Sequence, residues 1–316
     1  MLTLLQQGQP VVAMKRSSSN VKEVEEILSF YTSEYKTLFN KIIWREADLN
    51  DVLGFDELLK DIKTVYHCAA LISLEDKDKD NLLKVNKEGT ANLVNACINN
   101  KTEAFCFVSS IATLQNKDIR ENIDETVFWK TAPNQSAYSL SKYLAEQEVW
   151  RGIEEGLNAV IVNPGVIVGP GNWCRGTGQL VSLSAKGIKF YTGGVTGFVG
   201  AIDVAGVMVA LMNKKIFGER FILVENNYPF KYVLDKIHTQ LGKPLPKILA
   251  GRGLLRLGKW FSFLMPTGQK LTSSTISALT SKTTFSNGKL NRFLDYKYTS
   301  IDECLKFASE CYQKRG

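Results

Sequence analysis

Short, continuously apolar runs alternate with helical segments through the first half of the chain, and this alternation leaves few folds open. The runs lie at 11–14, 41–46, 64–68, 104–108 and 159–162, with helical periodicity at 20–40, 52–61, 79–100 and 137–155. Residues 1–8 look like the end of a further helix closed by Gly8. Strands with no polar alternation are buried on both faces, which requires a parallel sheet covered by helices on each side. Right-handed crossovers then give an α/β, doubly wound sheet. The pattern changes near residue 170. We therefore expect a sheet domain over 1–170 and a smaller lobe over 171–316, with 201–225, including a strand at 221–224, returning to the sheet.

Composition narrows the function classes. Lys and Arg total 39 against 32 Asp and Glu, a net charge of +7. The cations are spread along the chain without the clustering of a nucleic-acid binder, and they suit a small anionic ligand. Only His67 and His238 are present, so a multi-histidine metal centre is not expected. The six cysteines form no C-x-x-C pair and read as reduced thiols. No apolar run reaches the length of a membrane span, and the N-terminus does not read as a signal peptide, so a cytoplasmic protein is expected.

Polar residues collect just after the apolar runs: Arg16, Asp48, His67, Ser109 with Ser110, and Asn163. That edge is where open α/β sheets bind ligands. Tyr138 and Lys142 stand four apart on a helix and share a face. A lysine there favours phenolate, and a tyrosine so tuned can exchange a proton with a carbonyl or alcohol oxygen. A serine from Ser109-Ser110 can hydrogen-bond the same oxygen.

Five ordered motifs carry a resemblance: His67-Cys-Ala-Ala70, Val85-Asn86-Lys-Glu-Gly89-Thr90-Ala-Asn92-Leu93, Val108-Ser109-Ser110, Ala137-Tyr138-Ser-Leu-Ser-Lys142, and Asn163-Pro164-Gly165-Val166-Ile-Val-Gly169-Pro170-Gly171. Gly218-Glu219-Arg220-Phe221 and Phe285-Ser-Asn287-Gly-Lys289 continue it. On these residues the chain resembles the extended short-chain dehydrogenase/reductases, also called NAD-dependent epimerase/dehydratases. Within that group it is similar to dihydroflavonol-reductase-like and 3β-hydroxysteroid-dehydrogenase-like members.

The resemblance implies a Rossmann sheet and assigns roles. Tyr138 is the acid/base. Lys142 tunes it and holds the nicotinamide ribose. Ser110 partners the substrate oxygen, and Asn86 supports the set. Asp48 and Leu49 would contact adenine, and Ala69, Ala70 and Ser109 would line the cofactor. Pro164, Gly165 and Val166 would wall the nicotinamide. His67 reads instead as a satisfied strand-end histidine, and Asp203 as an N-cap. Many members dimerise through the helix equivalent to that of Tyr138, so a homodimer is a further expectation.

Arg16 follows the 11–14 run with Lys15, Ser17 and Ser18 and no carboxylate. An acidic residue there pairs with the 2′-hydroxyl of NAD, whereas arginine accommodates the 2′-phosphate of NADP, so NADP is favoured. The family's G-x-x-G-x-x-G loop is absent. The chain is expected to start inside the first crossover helix, to lack the first strand and that loop, and as it stands to bind cofactor poorly and be less stable. Hydride transfer between nicotinamide and a bulky hydroxy or keto compound is favoured. A nucleotide-sugar epimerase/dehydratase and a non-catalytic NAD(P)-sensing protein are the alternatives. The apolar segment 254–265 is expected to wall a pocket, with contact to a membrane surface as the lesser alternative.

Overall fold

The computed structural model describes residues 1–73, 75–114, 116, 118–130, 135–255 and 272–315. Four strands form one parallel sheet in the order β3-β4-β5-β9: β3 (Thr64–His67), β4 (Ala104–Val108), β5 (Ala159–Pro164) and β9 (Glu219–Leu223). β1 (Val11–Lys15) and β2 (Ile42–Glu46) form a separate parallel pair, Val11 beside Ile42 and Lys15 beside Glu46. Among the described residues no ladder joins this pair to β3. Three further strands, β6 (Val166–Val168), β8 (Val195–Gly200) and β10 (Asn226–Pro229), order as β10-β8-β6. A two-residue pairing links β7 (Phe190–Tyr191) to β11 (Ile248–Leu249).

Alternation along the central strands feeds two apolar faces, which is the physical content of double winding. Phe105, Phe107 and Ile161 pack with Val94 and Cys97 of α6 (Gly89–Asn99) and with Ala145 and Val149 of α7 (Ala137–Glu154). Their strand neighbours Cys106, Val160 and Val162 pack the opposite way, against Val204, Val207 and Leu211 of α9 (Ala201–Asn213). All six residues of β5 are buried. Each large apolar side chain so enclosed contributes about 1.5–3 kcal/mol. A third cluster joins Trp173, Val181 of α8 (Gly176–Ala185), Val233 and Ile237 of α10 (Phe230–Gln240), and Ile301 and Leu305 of the C-terminal helix Ile301–Lys314.

Several local expectations are refined. Helix α1 (Leu2–Gln6) ends at Gly8, which takes the left-handed conformation (φ +73°) that a side chain would resist. The periodic stretch 20–40 is two helices, α2 (Lys22–Tyr31) and α3 (Tyr35–Asn40). Thr32 breaks it in an extended conformation, its hydroxyl accepting from the Glu34 N–H. The periodicity runs through the break because Leu28 and Leu38 enter the same cluster with Val11 and Ile42. The stretch 52–61 ends earlier, with α4 (Phe55–Leu59). The 79–100 helix is interrupted: α5 (Lys79–Leu82) passes into a π-helical turn at Leu83–Glu88 before α6. Asp203 is not an N-cap; Gly200 is, and Asp203 sits in the first turn of α9, accepting from Tyr296 and Thr299.

No helix of the described residues is long and apolar enough to cross a membrane. Most of the 254–265 segment lies outside the described residues. Among the described residues no group of His, Cys, Asp and Glu could hold a metal ion.

Candidate active site

Helix α7 begins where the Ser136 hydroxyl accepts from the Ser139 N–H at 3.0 Å, a capping contact that fixes the first turn just before Tyr138. Tyr138 is half-buried, whereas Lys142, one turn on, is 2 % exposed. The Lys142 ammonium donates to the Val108 carbonyl at 2.8 Å and lies 4.3 Å from the centre of the Phe107 ring. Burial pulls the lysine down to about 8, opposed by the charges of Glu146 and Cys68. Burial also raises the Tyr138 phenol, and a hydrogen bond with Ser110 pulls the other way. The expected direction for the phenol is thus reversed: burial outweighs its polar partner, and the lysine ammonium is spent on Val108.

The two serines after β4 face different ways. Ser109 is buried and donates to Glu146 Oε2 at 2.5 Å. Ser110 caps a single 3-10 turn, accepting from the Ala112 N–H at 3.1 Å, and keeps its hydroxyl beside the Tyr138 phenol. Any contact of Ser109 with a cofactor would have to come from its backbone.

Asn86 lies in the π turn and is buried. Its carbonyl oxygen accepts from the Leu71 N–H at 2.7 Å, and its amide donates to the Leu71 carbonyl and to Ser141 Oγ, each at 2.9 Å. One side chain therefore ties the loop after β3 to the helix carrying Tyr138. That loop begins with Cys68, Ala69 and Ala70, all exposed. His67 is enclosed, bonded to Thr90 Oγ1 at 2.9 Å, and burial followed by the charge of Lys142 pushes it down to about 3. It is a satisfied core histidine.

At the end of β5, Pro164 is buried and Gly165 and Val166 are partly exposed. A Cβ on Gly165 would lie 2.5 Å from the Gly197 carbonyl oxygen, so this wall tolerates no side chain there. Near the other strand ends the picture is mixed. Asp48 accepts from the backbone and side-chain amides of Asn50, both at 2.9 Å. Leu49 is a core residue against Gly89, its carbonyl taken by Asn92 at 3.1 Å, so its side chain does not face a ligand. Arg16 is exposed in a turn closed by Ser19, and its guanidinium makes no hydrogen bond or ion pair among the described residues. Lys15, by contrast, lies 3.9 Å from Glu46.

A hub behind the site was not anticipated. Glu146 is fully buried and accepts from Ser109, Thr113 Oγ1 and Asn163 Nδ2 on Oε2, the last two at 2.9 Å, and from Arg220 Nη1 on Oε1 at 3.0 Å. Its position one turn beyond Lys142 was the available signal. The late motif closes the same region: Asn287 donates to the Val224 carbonyl, and Lys289 to Glu219 and the Arg220 carbonyl.

These features fit a nicotinamide dinucleotide at two places. Ala69 and Ala70 are small and exposed, Gly165 leaves no room for a side chain, Ser110 stands beside the Tyr138 phenol, and the Arg16 guanidinium after β1 has no partner among the described residues. A glycine-rich pyrophosphate cradle is not among the residues identified.

Residues 1–214 match the NAD dependent epimerase/dehydratase family. The dihydroflavonol 4-reductase of Medicago sativa is 28% identical over 179 residues, covering 54% of this chain and 80% of that protein. The UDP-glucose 4-epimerase of Vibrio cholerae is 30% identical over 166 residues, covering 49% and 48%. The crystal structure of gox2253 superposes with a TM-score of 0.81 at 25% identity, covering 100% of this chain and 94% of that one. The relatives include both reductases and epimerases. With its ordered motifs, its parallel sheet and the match over residues 1–214, the chain belongs to the NAD dependent epimerase/dehydratase family, the extended short-chain dehydrogenase/reductases.

Proposed function

We propose that the chain is an NADP-dependent reductase or dehydrogenase acting on a bulky keto or hydroxy small molecule. The observation that carries this reading is Arg16: its guanidinium, exposed just after β1, makes no hydrogen bond or ion pair among the described residues, which suits a 2′-phosphate. The bound nicotinamide would supply or accept the hydride. Tyr138 then gives the proton to the substrate oxygen, or takes it in the reverse direction, while Ser110 hydrogen-bonds the same oxygen and holds it against the phenol. Lys142, one turn along α7 from Tyr138, would hold the nicotinamide ribose. Asn86 keeps the Ala69–Leu71 loop in register with α7. A homodimer through the α7 region follows from the family resemblance and is checked by sedimentation.

The likeness to UDP-glucose 4-epimerase of Vibrio cholerae supports a second reading, an epimerase that returns its cofactor unchanged in each cycle. One assay separates the two. Purified protein is mixed with NADPH or NADH and a panel of aromatic and alicyclic ketones. Net, ketone-dependent NADPH oxidation is expected. Interconversion of a nucleotide sugar without net change in cofactor would replace the reductase reading with the epimerase.

A further inference from the structure

We propose that Glu146 is the positioning residue of this site: its buried carboxylate holds the positive charge of Lys142 in an apolar interior and ties the loop carrying Ser110 and the end of β5 carrying Asn163 to the helix carrying Tyr138. The geometry is a four-way junction. From the loop after β4 come Ser109 and Thr113, from β5 comes Asn163, and from β9 comes Arg220, all donating to one carboxylate. Asn163 also donates to the Ser110 carbonyl at 3.2 Å, so the backbone of the residue beside the phenol is pinned through the same junction. Arg220 is anchored in turn on the carbonyls of Glu125 and Val127.

The junction has a net electrostatic effect on Lys142. An ammonium buried against Phe107 and Val108 loses its hydration, and one carbonyl does not replace it. The charged or titratable groups that face it are few. On its own helix these are Tyr138 and Glu146. From the end of β3 come His67, held neutral, and Cys68, whose neighbour is the Met1 amino group. Glu146 is therefore the one carboxylate among the groups acting on Lys142, and its pull is tempered by Arg220 on its far side. Without that arginine, three hydrogen bonds from the neutral donors Ser109, Thr113 and Asn163 still hold the carboxylate in place.

This reasoning rests on the assignment of Tyr138 and Lys142 as the acid/base pair, so the test reads Lys142 directly. The full chain is prepared with isotope-labelled lysine, without cofactor or substrate. The Lys142 resonance is assigned by its loss in Lys142→Arg and followed against pH. Glu146→Gln should lower the Lys142 midpoint by about one unit, and Arg220→Gln should raise it by a similar amount. The alkaline limb of the turnover profile should move in the same two directions. A merely structural junction would weaken the fold in both variants but leave the midpoint in place, or shift it the same way twice. Either result overturns the proposal. If Glu146→Gln does not fold, the Arg220→Gln arm decides alone, and no rise in the midpoint is the overturning result. Failure of the acid/base assignment is a separate event, visible as full turnover in Lys142→Met whatever the titration shows.

Discussion

Asn86 grips Leu71 at both ends of its peptide, accepting from its N–H at 2.7 Å and donating to its carbonyl at 2.9 Å. A side-chain amide here substitutes for a strand partner, closing the loop after β3 as a ladder would. Asn86→Ala leaves both Leu71 groups and Ser141 Oγ without this partner. We expect a loss of roughly 2 kcal/mol in urea unfolding, together with weaker cofactor binding through the loosened Ala69–Leu71 loop. Unchanged cofactor affinity in a destabilised variant would confine Asn86 to the fold.

Tyr138→Phe removes the proton carrier but keeps the ring that packs at the start of α7. Turnover should fall by about two to four orders of magnitude with the unfolding midpoint nearly unchanged. Ser110→Ala should cost less, since the phenol remains. Retention of turnover in Tyr138→Phe would move the proton chemistry elsewhere.

Arg16→Ala should weaken NADPH binding about tenfold or more and leave NADH binding unaffected, since a charge-assisted bond is worth roughly 1.5–3 kcal/mol. Fluorescence titration of the two cofactors against each protein checks this. Equal loss for both would mean that Arg16 does not read the 2′ position.

The buried His67 makes stability depend on pH. Its folded value, about 3, lies below its ordinary 6.5, so the unfolded chain takes up a proton in this window and the native chain does not. Stability is therefore lost as pH falls from 6.5 toward 3, at about 1.4 kcal/mol per unit. Between pH 6.5 and 5 the contribution is about 2 kcal/mol by the same constant. Urea unfolding of His67→Gln, which can still bond Thr90 but does not titrate, should show a pH dependence shallower by that amount. Parallel curves would reject it.

Gly165→Ala drives a Cβ to 2.5 Å from the Gly197 oxygen and 2.8 Å from its carbonyl carbon. Backbone cannot step aside as a flexible side chain can. A loss of about 1–3 kcal/mol in thermal or urea unfolding is expected, larger than for Ala at Gly171, which meets nothing within 4 Å.

Much of the fold was legible because burial on both faces leaves a simple imprint. In β5 four apolar residues run without alternation ahead of Asn163 and Pro164, and all six are buried. The Tyr138–Lys142 spacing was equally plain. Other features leave no such imprint. The break at Thr32 is hidden because α2 and α3 bury their apolar sides in one cluster, so the period survives a missing turn. The π turn adds one residue to a helix whose polar and apolar positions still look α-helical. Leu49 sits where the family resemblance places a ligand contact, yet its side chain fills the space left by Gly89. Glu146 looks like a solvent-facing acid on a helix. Only its partners Thr113, Asn163 and Arg220, scattered along the chain, reveal it as interior, and pairing at such sequence distance is not visible in local pattern.

The π turn at Leu83–Glu88 makes the asparagine's reach a matter of counting. A surplus residue in a helix rotates everything beyond it by roughly 100° relative to an unbroken spiral. The segment before the turn buries Leu82, and the segment after it buries Gly89, Thr90 and Leu93. Asn86 stands within the turn, where its side chain reaches Leu71 and Ser141 of α7 together. Removing one residue from this turn would leave both seams apolar but set them at odds, so that either the core contacts of Gly89 or the grip on Leu71 survives, not both.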